Sequence, residues 1–309
     1  MADVHQALAN AAFTKSGASG LYDRARPTYP SSAIIRILSH LPNHDAEVVE
    51  LGSGTGIFSR GLLSSAVPGQ IAAWRALEPA VGMREGFMRW ASNFEGGTKI
   101  TCTDGTFDHM ESIESASADM VVAAQAWHWT GSCPIFQNKA MKEVERVLKP
   151  GGCFVLIWNI KDREVSNWVG AIRDAYEVHE SGTPQYRLGL WKTLFQTPTF
   201  RNAFKLLPPD ETPNSPQARE VKNVDDSIDA SVPTLNICTR VPMTLEGLFD
   251  RILSKSYITA LDAQTQELLR TKLQSVWNDH AARDSGLEWV DDKTVQFPYA
   301  THVYIMQKK

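Results

Sequence analysis

Cysteine is scarce in this 309-residue chain, with four scattered at Cys102, Cys133, Cys153 and Cys238. No pair has the spacing of a zinc site or a redox couple, so the expected setting is reducing and cytoplasmic, with no metal. Basic residues never gather into a dense run, and the net charge is −4, which gives no electrostatic support for nucleic-acid binding. No apolar stretch is long enough to cross a bilayer. Met1 to Phe13 has no basic region followed by an apolar core, and the tail Met306-Gln307-Lys308-Lys309 carries no lipidation signal, so neither a secretory leader nor a lipid anchor is expected. Internal repeats are absent too.

What remains is the composition of a globular protein with a sizeable core: 43% hydrophobic and 21% charged residues. The most informative stretch is Val48-Val49-Glu50-Leu51-Gly52-Ser53-Gly54-Thr55-Gly56. A β-branched run ends on an acid and breaks into three alternating glycines, which reads as a buried parallel strand feeding a tight turn into a helix. Glycine is needed where a side chain would keep the backbone away from a nucleotide-like ligand. A dinucleotide fingerprint would need G-x-G-x-x-G. Counted from Gly52 the third position is Ile57; counted from Gly54 it is Ser59. Neither frame fits.

Strand and helix patterns alternate after this turn. Helices are expected over Ile57–Val67, Val81–Trp90 and Pro134–Leu148, and strands over Ile71–Leu77, Lys99–Thr103, Ala118–Ala124 and Cys153–Trp158. That alternation implies right-handed crossovers and a mainly parallel sheet with ligands at the strand C-termini. Farther on, Glu164–Glu180, Arg187–Phe195, Leu245–Ser256 and Ala263–Asn278 read as helical. Val295–Met306 has strand character and is expected to close the sheet edge, and the polar, proline-containing stretch Pro208–Val232 is expected to be an exposed insertion.

The pattern Glu50-x-Gly52-Ser53-Gly54-x-Gly56 resembles motif I of the class I S-adenosylmethionine-dependent methyltransferases. Four further segments resemble the small-molecule subfamily that includes trans-aconitate and cantharidin methyltransferases: Tyr22 to Pro30, Val121 to Trp129, Ser254 to Ile258 and Pro298 to Tyr304. The resemblance implies a Rossmann-like three-layer αβα sandwich. Its mainly parallel seven-stranded sheet would end in an antiparallel strand, with helical lid elements added. It also implies an N-terminal lid over residues 1–45, a cofactor-binding core over 46–160 and a substrate side over 161–309. S-adenosyl-L-methionine is the implied cofactor.

Glu78, about 26 residues past Gly52, matches the ribose-binding acid, with Pro79 and Met83 beside it. A carboxylate suits a vicinal diol because it accepts two hydrogen bonds. Asp104-Gly105-Thr106 matches the adenine-facing segment. Gln125-Ala126 matches the loop where donor and acceptor meet, and Gln125 would hold the ammonium end of the cofactor. Arg26 would pair with the cofactor carboxylate and Tyr22 would cover the methionine arm. Trp127, Trp129 and Trp158 are candidates to wall an apolar acceptor pocket.

His128 has three readings: a general base, a substrate-orienting residue, or a loop histidine bonded to backbone. The Asp/Asn-Pro-Pro-aromatic segment of many amide- and adenine-methylating relatives is absent here. The expected acceptor is therefore a small, partly apolar molecule, methylated on a carboxylate or hydroxyl oxygen, and the chain is expected to be a monomer or homodimer. Two competing readings are a nicotinamide-dependent oxidoreductase, which lacks its third glycine and a Tyr-x-x-x-Lys pair, and a non-catalytic protein of the same fold.

Overall fold

The computed structural model describes residues 18–180, 182–209, 232, 234–280 and 286–309. The expected insertion therefore lies outside the described residues except at its ends.

The first half follows the sequence pattern closely. After helices α1 (Ala18–Ala25) and α2 (Ser31–Leu38), the chain runs through β1 (Ala46–Leu51), α3 (Ile57–Ser65), β2 (Ile71–Leu77), α4 (Val81–Ala91), β3 (Lys99–Thr103) and β4 (Ala118–Ala124). A 3₁₀ turn (Trp127–Thr130), α5 (Pro134–Val147) and β5 (Leu148–Lys161) follow. β4 is apolar at nearly every position because both faces are covered. α2, α3 and α4 bury Ile34, Phe58 and Phe87 against one face of the sheet, while α5 buries Met141 and Val144 against the other.

The second half holds α6 (Asn167–Glu177), two 3₁₀ turns (Tyr186–Leu188 and Leu190–Gln196), α7 (Pro198–Ala203), β6 (Phe204–Leu206) and β7 (Leu235–Thr244). It ends with α8 (Leu245–Leu253), α9 (Ser256–Thr259), α10 (Ala263–His280) and β8 (Thr294–Lys308). The Arg187–Phe195 stretch is thus 3₁₀ rather than α-helical, broken at Gly189, whose φ of 68° ends the first turn.

Across the sheet the order is β3-β2-β1-β4-β5-β8, parallel through β5 and antiparallel between β5 and β8. Among the described residues the sheet has eight strands, not seven, and β8 is not its edge. Its outer side pairs with β6 through Met306 to Lys308 and with β7 through Thr294 to Val303. Two strands end to end cover one long strand, an arrangement the local pattern of Val295–Met306 could not reveal.

Because β8 is antiparallel, its first residues run past the C-terminal end of β5, where Lys161 pairs with Tyr299. A third apolar cluster grows on that overhang, joining Trp168 and Tyr176 of α6, Phe249 of α8, Trp277 of α10 and Phe297. This cluster stands beside the C-terminal edge of the parallel strands, so the strand ends open into a cleft with a second wall.

Candidate active site

A cavity of about 190 Å³ occupies that cleft. Its floor is the strand ends and the turns that leave them. The glycine turn is bound to β2: the amide N–H of Gly52 donates to Leu77 O at 2.8 Å. Gly52 has φ +65°, and a Cβ there would lie 2.7 Å from Ala126 Cβ, so the turns after β1 and β4 meet only because this residue lacks a side chain. Gly54 has φ +57°, and a Cβ there would meet only Tyr22 at 3.9 Å, so its backbone forms open cavity wall.

Glu78 leaves the end of β2 and lines the same wall. One carboxylate oxygen accepts from Gly54 N and the other from Ala80 N, both at 2.9 Å. Burial pushes its pKa up, opposed by those two N–H groups. Each oxygen keeps a second lone pair for a ligand hydroxyl. Leu77, Pro79, Met83, Gly105, Thr106 and Phe107 continue the wall with a largely apolar slot.

Other candidates from the sequence sit elsewhere. Ser53 and Glu50 face a smaller adjoining cavity, behind the glycine turn. Glu50 accepts from Ser59 Oγ and from Trp74 Nε1 at 3.2 Å, and burial pushes its carboxyl up to about 8. Gly56 caps α3 beneath Phe87, away from either cavity. The Asp104 side chain is 75% exposed and accepts from Arg84 at 3.2 Å, so it does not face an adenine slot.

The three tryptophans also separate. Trp129 lines the cavity. Trp127, two residues earlier in the same 3₁₀ turn, points the opposite way, wholly buried against Phe107 and Phe154. Trp158 is wholly buried as well, between the Trp191 and Tyr186 rings at 4.6 and 4.7 Å. Neither Trp127 nor Trp158 is a pocket wall.

His128 lines the cavity and is 9% exposed. Its Nδ1 accepts from Trp158 Nε1 at 3.3 Å. Burial, with the cations Lys255 and Arg26 adding to it, pushes its pKa down to about 3. An imidazole that holds a proton so weakly is a poor general base at neutral pH, which weighs against that reading of His128. Gln125, three residues earlier and on the same cavity, has φ +58°, unusual for a side-chain-bearing residue, and donates through Nε2 to Asn159 O at 2.8 Å. Strain of this kind gathers at functional sites.

Over the cleft lies α1. Asp23 accepts from Thr55 Oγ1 at 2.8 Å and pairs with Arg60, while Arg24 pairs with Asp250 at 3.0 Å. Arg26 donates through Nε to Ser254 Oγ at 3.1 Å and through Nη2 to Ser254 O at 2.9 Å, tying the lid to the end of α8. Burial lowers its pKa to about 10, so it stays a cation. Tyr22 lines the cavity beneath its guanidinium, 4.5 Å from the ring centre.

The feature that sequence reasoning missed is a group of cations on the far wall, of which Lys161, Arg173 and Arg251 are buried. Arg173 pairs with Glu177 at 2.6 Å and Arg187 with Glu180 at 2.5 Å. Lys161, Arg251 and Lys255 line the same wall and form no ion pair with a carboxylate among the described residues. Lys161 is 4% and Arg251 3% exposed, and Lys161 Nζ, Arg251 Nε and Arg251 Nη1 are buried with no hydrogen-bond partner. Burial and the neighbouring cations hold the Lys161 and Lys255 pKa values well below the usual ammonium range. Lys255 lies in the Ser254 to Ile258 segment, but no local pattern joins it to Lys161 of β5 and Arg251 of α8. Asn159, also unforeseen, fixes the floor between Thr28 O at 3.0 Å and Thr301 Oγ1 at 2.6 Å.

Comparison with known proteins adds to this geometry. A family profile described as "Methyltransferase domain" matches residues 49–156, from β1 through most of β5. An uncharacterized methyltransferase of Mycobacterium tuberculosis is 31% identical over 199 residues, covering 59% of this chain and 70% of that protein. An uncharacterized methyltransferase-like protein of Schizosaccharomyces pombe is 29% identical over 175 residues, 56% of this chain and 62% of its own. Among solved structures, a putative type II methyltransferase from Anaeromyxobacter dehalogenans aligns over 92% of this chain and 97% of its own, with TM-score 0.49 and 18% identity.

Proposed function

The chain belongs to the methyltransferase family, and on that premise we propose that it methylates an oxygen of a small anionic molecule, a carboxylate above all, from S-adenosylmethionine. The donor wall fits such a nucleoside better than it fits a dinucleotide. Gly54 N–H, the amide that a diphosphate would need, is already held by the Glu78 carboxylate. The nearest arginines are engaged as well, Arg84 with Glu78 O and Asp104, Arg60 with Asp23. Glu78 would take the ribose hydroxyls, the Leu77–Met83–Phe107 slot the base, and Arg26 the amino-acid end.

When bound, that cofactor supplies a methyl group on a positively charged sulfur, which is electrophilic without further activation. The protein then has to hold an oxygen in line behind it and keep water away. Trp129, Phe136 and the lid residue Tyr22 supply the dry walls. His128, unable to take a proton readily, suits an acceptor that needs no base.

One observation carries the choice of acceptor. Lys161 and Arg251 are buried, and Lys161 Nζ, Arg251 Nε and Arg251 Nη1 have no hydrogen-bond partner there, while Lys255, attracted by Glu180 and Glu177, lines the same wall. Buried charge left without a counter-charge is costly, so the wall is complementary to an anion. The expected acceptor is thus charged, not the partly apolar molecule that overall composition suggests.

The test is a screen of radiolabelled S-adenosylmethionine against small mono-, di- and tricarboxylic acids, with phenols and amines alongside. Methyl esters release labelled methanol in mild alkali, whereas ethers and methylamines do not. Label that enters acids and leaves as methanol is the expected result. Transfer confined to phenols or amines would overturn the choice of acceptor.

A further inference from the structure

Within that reading, we propose that Trp158 is a positioning residue: through His128 Nδ1 it fixes His128 as an N–H donor facing the acceptor, and so selects for an oxygen that arrives already ionised. The indole N–H can only donate, so the Nδ1 atom facing it at 3.3 Å must be bare. A neutral imidazole carries one proton, which is therefore on Nε2. With Nδ1 turned toward the wholly buried Trp158 and the ring lining the cavity, Nε2 is the nitrogen left for the ligand.

Trp158 has little freedom to release it. It sits on β5, which pairs with β4 on one side and with β8 on the other, opposite His302. Its ring lies between Trp191 and Tyr186, with Tyr304 edge-on at 6.1 Å. Tyr186 is pinned in turn, its Oη 2.6 Å from His302 Nδ1 and 3.2 Å from Tyr304 Oη. Packing thus locks the indole and the indole locks the tautomer.

The charges that act on His128 from the packed elements are Lys255, beyond α8, and Arg26, beyond α1. Both lower its pKa and so oppose a second ring proton. For Nε2 to accept a proton from an alcohol or phenol, the ring would have to move its own proton to Nδ1, setting N–H against N–H. An ionised oxygen meets the opposite situation, a donor already aimed at it.

The experiment is nitrogen NMR on the full chain labelled with ¹⁵N-histidine, with His128 assigned from the signals lost in H128Q. The wild-type ring should show its proton on Nε2 and should not titrate between about pH 5 and 8. In W158F the Nε2–H to Nδ1–H ratio should fall by about tenfold, the worth of one such hydrogen bond. A proton on Nδ1 in the wild type, or a His128 titration in that range, would overturn the proposal, and neither needs the variant to fold. An unchanged tautomer in folded W158F would overturn it as well.

A kinetic arm uses any acid that accepts label. His128→Leu should lower kcat roughly 10- to 100-fold, and His128→Gln, whose amide restores a donor, should recover most of that loss. Equal losses in both variants would restore the base. The NMR result does not depend on methyl transfer, so the two failures can be told apart.

Discussion

Replacing Lys161 by Met should make the ligand-free protein more stable while weakening its hold on anions. Lys161 Nζ is buried without a hydrogen-bond partner. Its nearest favourable contact is the Tyr176 ring at 4.9 Å, and Lys255 Nζ stands at the same distance from that ring. One aromatic ring shared by two ammonium groups returns about 1–2 kcal/mol to each, against an effective desolvation cost of several kcal/mol per ion. Methionine keeps similar reach and volume without the charge. The net gain should be roughly 1–3 kcal/mol, a rise in Tm of about 2–6 °C for a chain of this size.

The pH dependence has a definite sign. The folded-state pKa of Lys161 is lowered, so below it the full cost is present, and the cost fades as pH rises toward the ordinary lysine value. The advantage of Lys161→Met should therefore shrink from neutral pH toward about pH 10. Calorimetric melts with and without citrate or tricarballylate read both effects. The acid should raise the wild-type Tm and raise that of the variant much less. A variant that melts lower than wild type and still responds fully to the acid would refute the reasoning.

Three further outcomes follow from the same geometry. Glu78→Gln places an amide where two backbone N–H groups converge, and calorimetric titration should show S-adenosylhomocysteine binding weakened roughly 10- to 100-fold. Glu50, raised to about 8, stabilises the fold as the neutral acid; that contribution is complete below its unfolded pKa and is lost as pH climbs to about 8. Denaturant melts should therefore show Glu50→Gln gaining on wild type by at most roughly 1.4 kcal/mol per pH unit across that interval. Gly52→Ala meets both a left-handed backbone and Ala126 Cβ at 2.7 Å, so it should lower stability by roughly 2–4 kcal/mol in the same melts.

The donor half of the cleft was legible in the sequence because it is built locally. β2, β3 and β4 span the residues that the apolar runs mark, and Glu78 lies on the cavity wall at the strand end where spacing puts it. Side-chain direction was less legible. Trp127 and Trp129 share one short turn yet face opposite ways, since residues two apart in a 3₁₀ turn cannot share a face. Trp158 ends the apolar run that marks β5, but the strand continues to Lys161 and the indole points into aromatic packing supplied by Tyr186 and Trp191, some 30 residues away. The anion-facing wall was hidden most completely. A net charge of −4 gives no hint that Lys161, Arg251 and Lys255 converge. Only the overhang of β8, with α6 and α8 packed on it, brings them together.

The most direct measurement is calorimetric titration of the full chain with S-adenosylhomocysteine and, separately, with NADH. Saturable one-to-one binding of the sulfur nucleoside and no heat from the dinucleotide is the predicted result. Binding of NADH, or no binding of S-adenosylhomocysteine to a folded sample, would contradict the assignment of the glycine turn and Glu78 as the methyl-donor site.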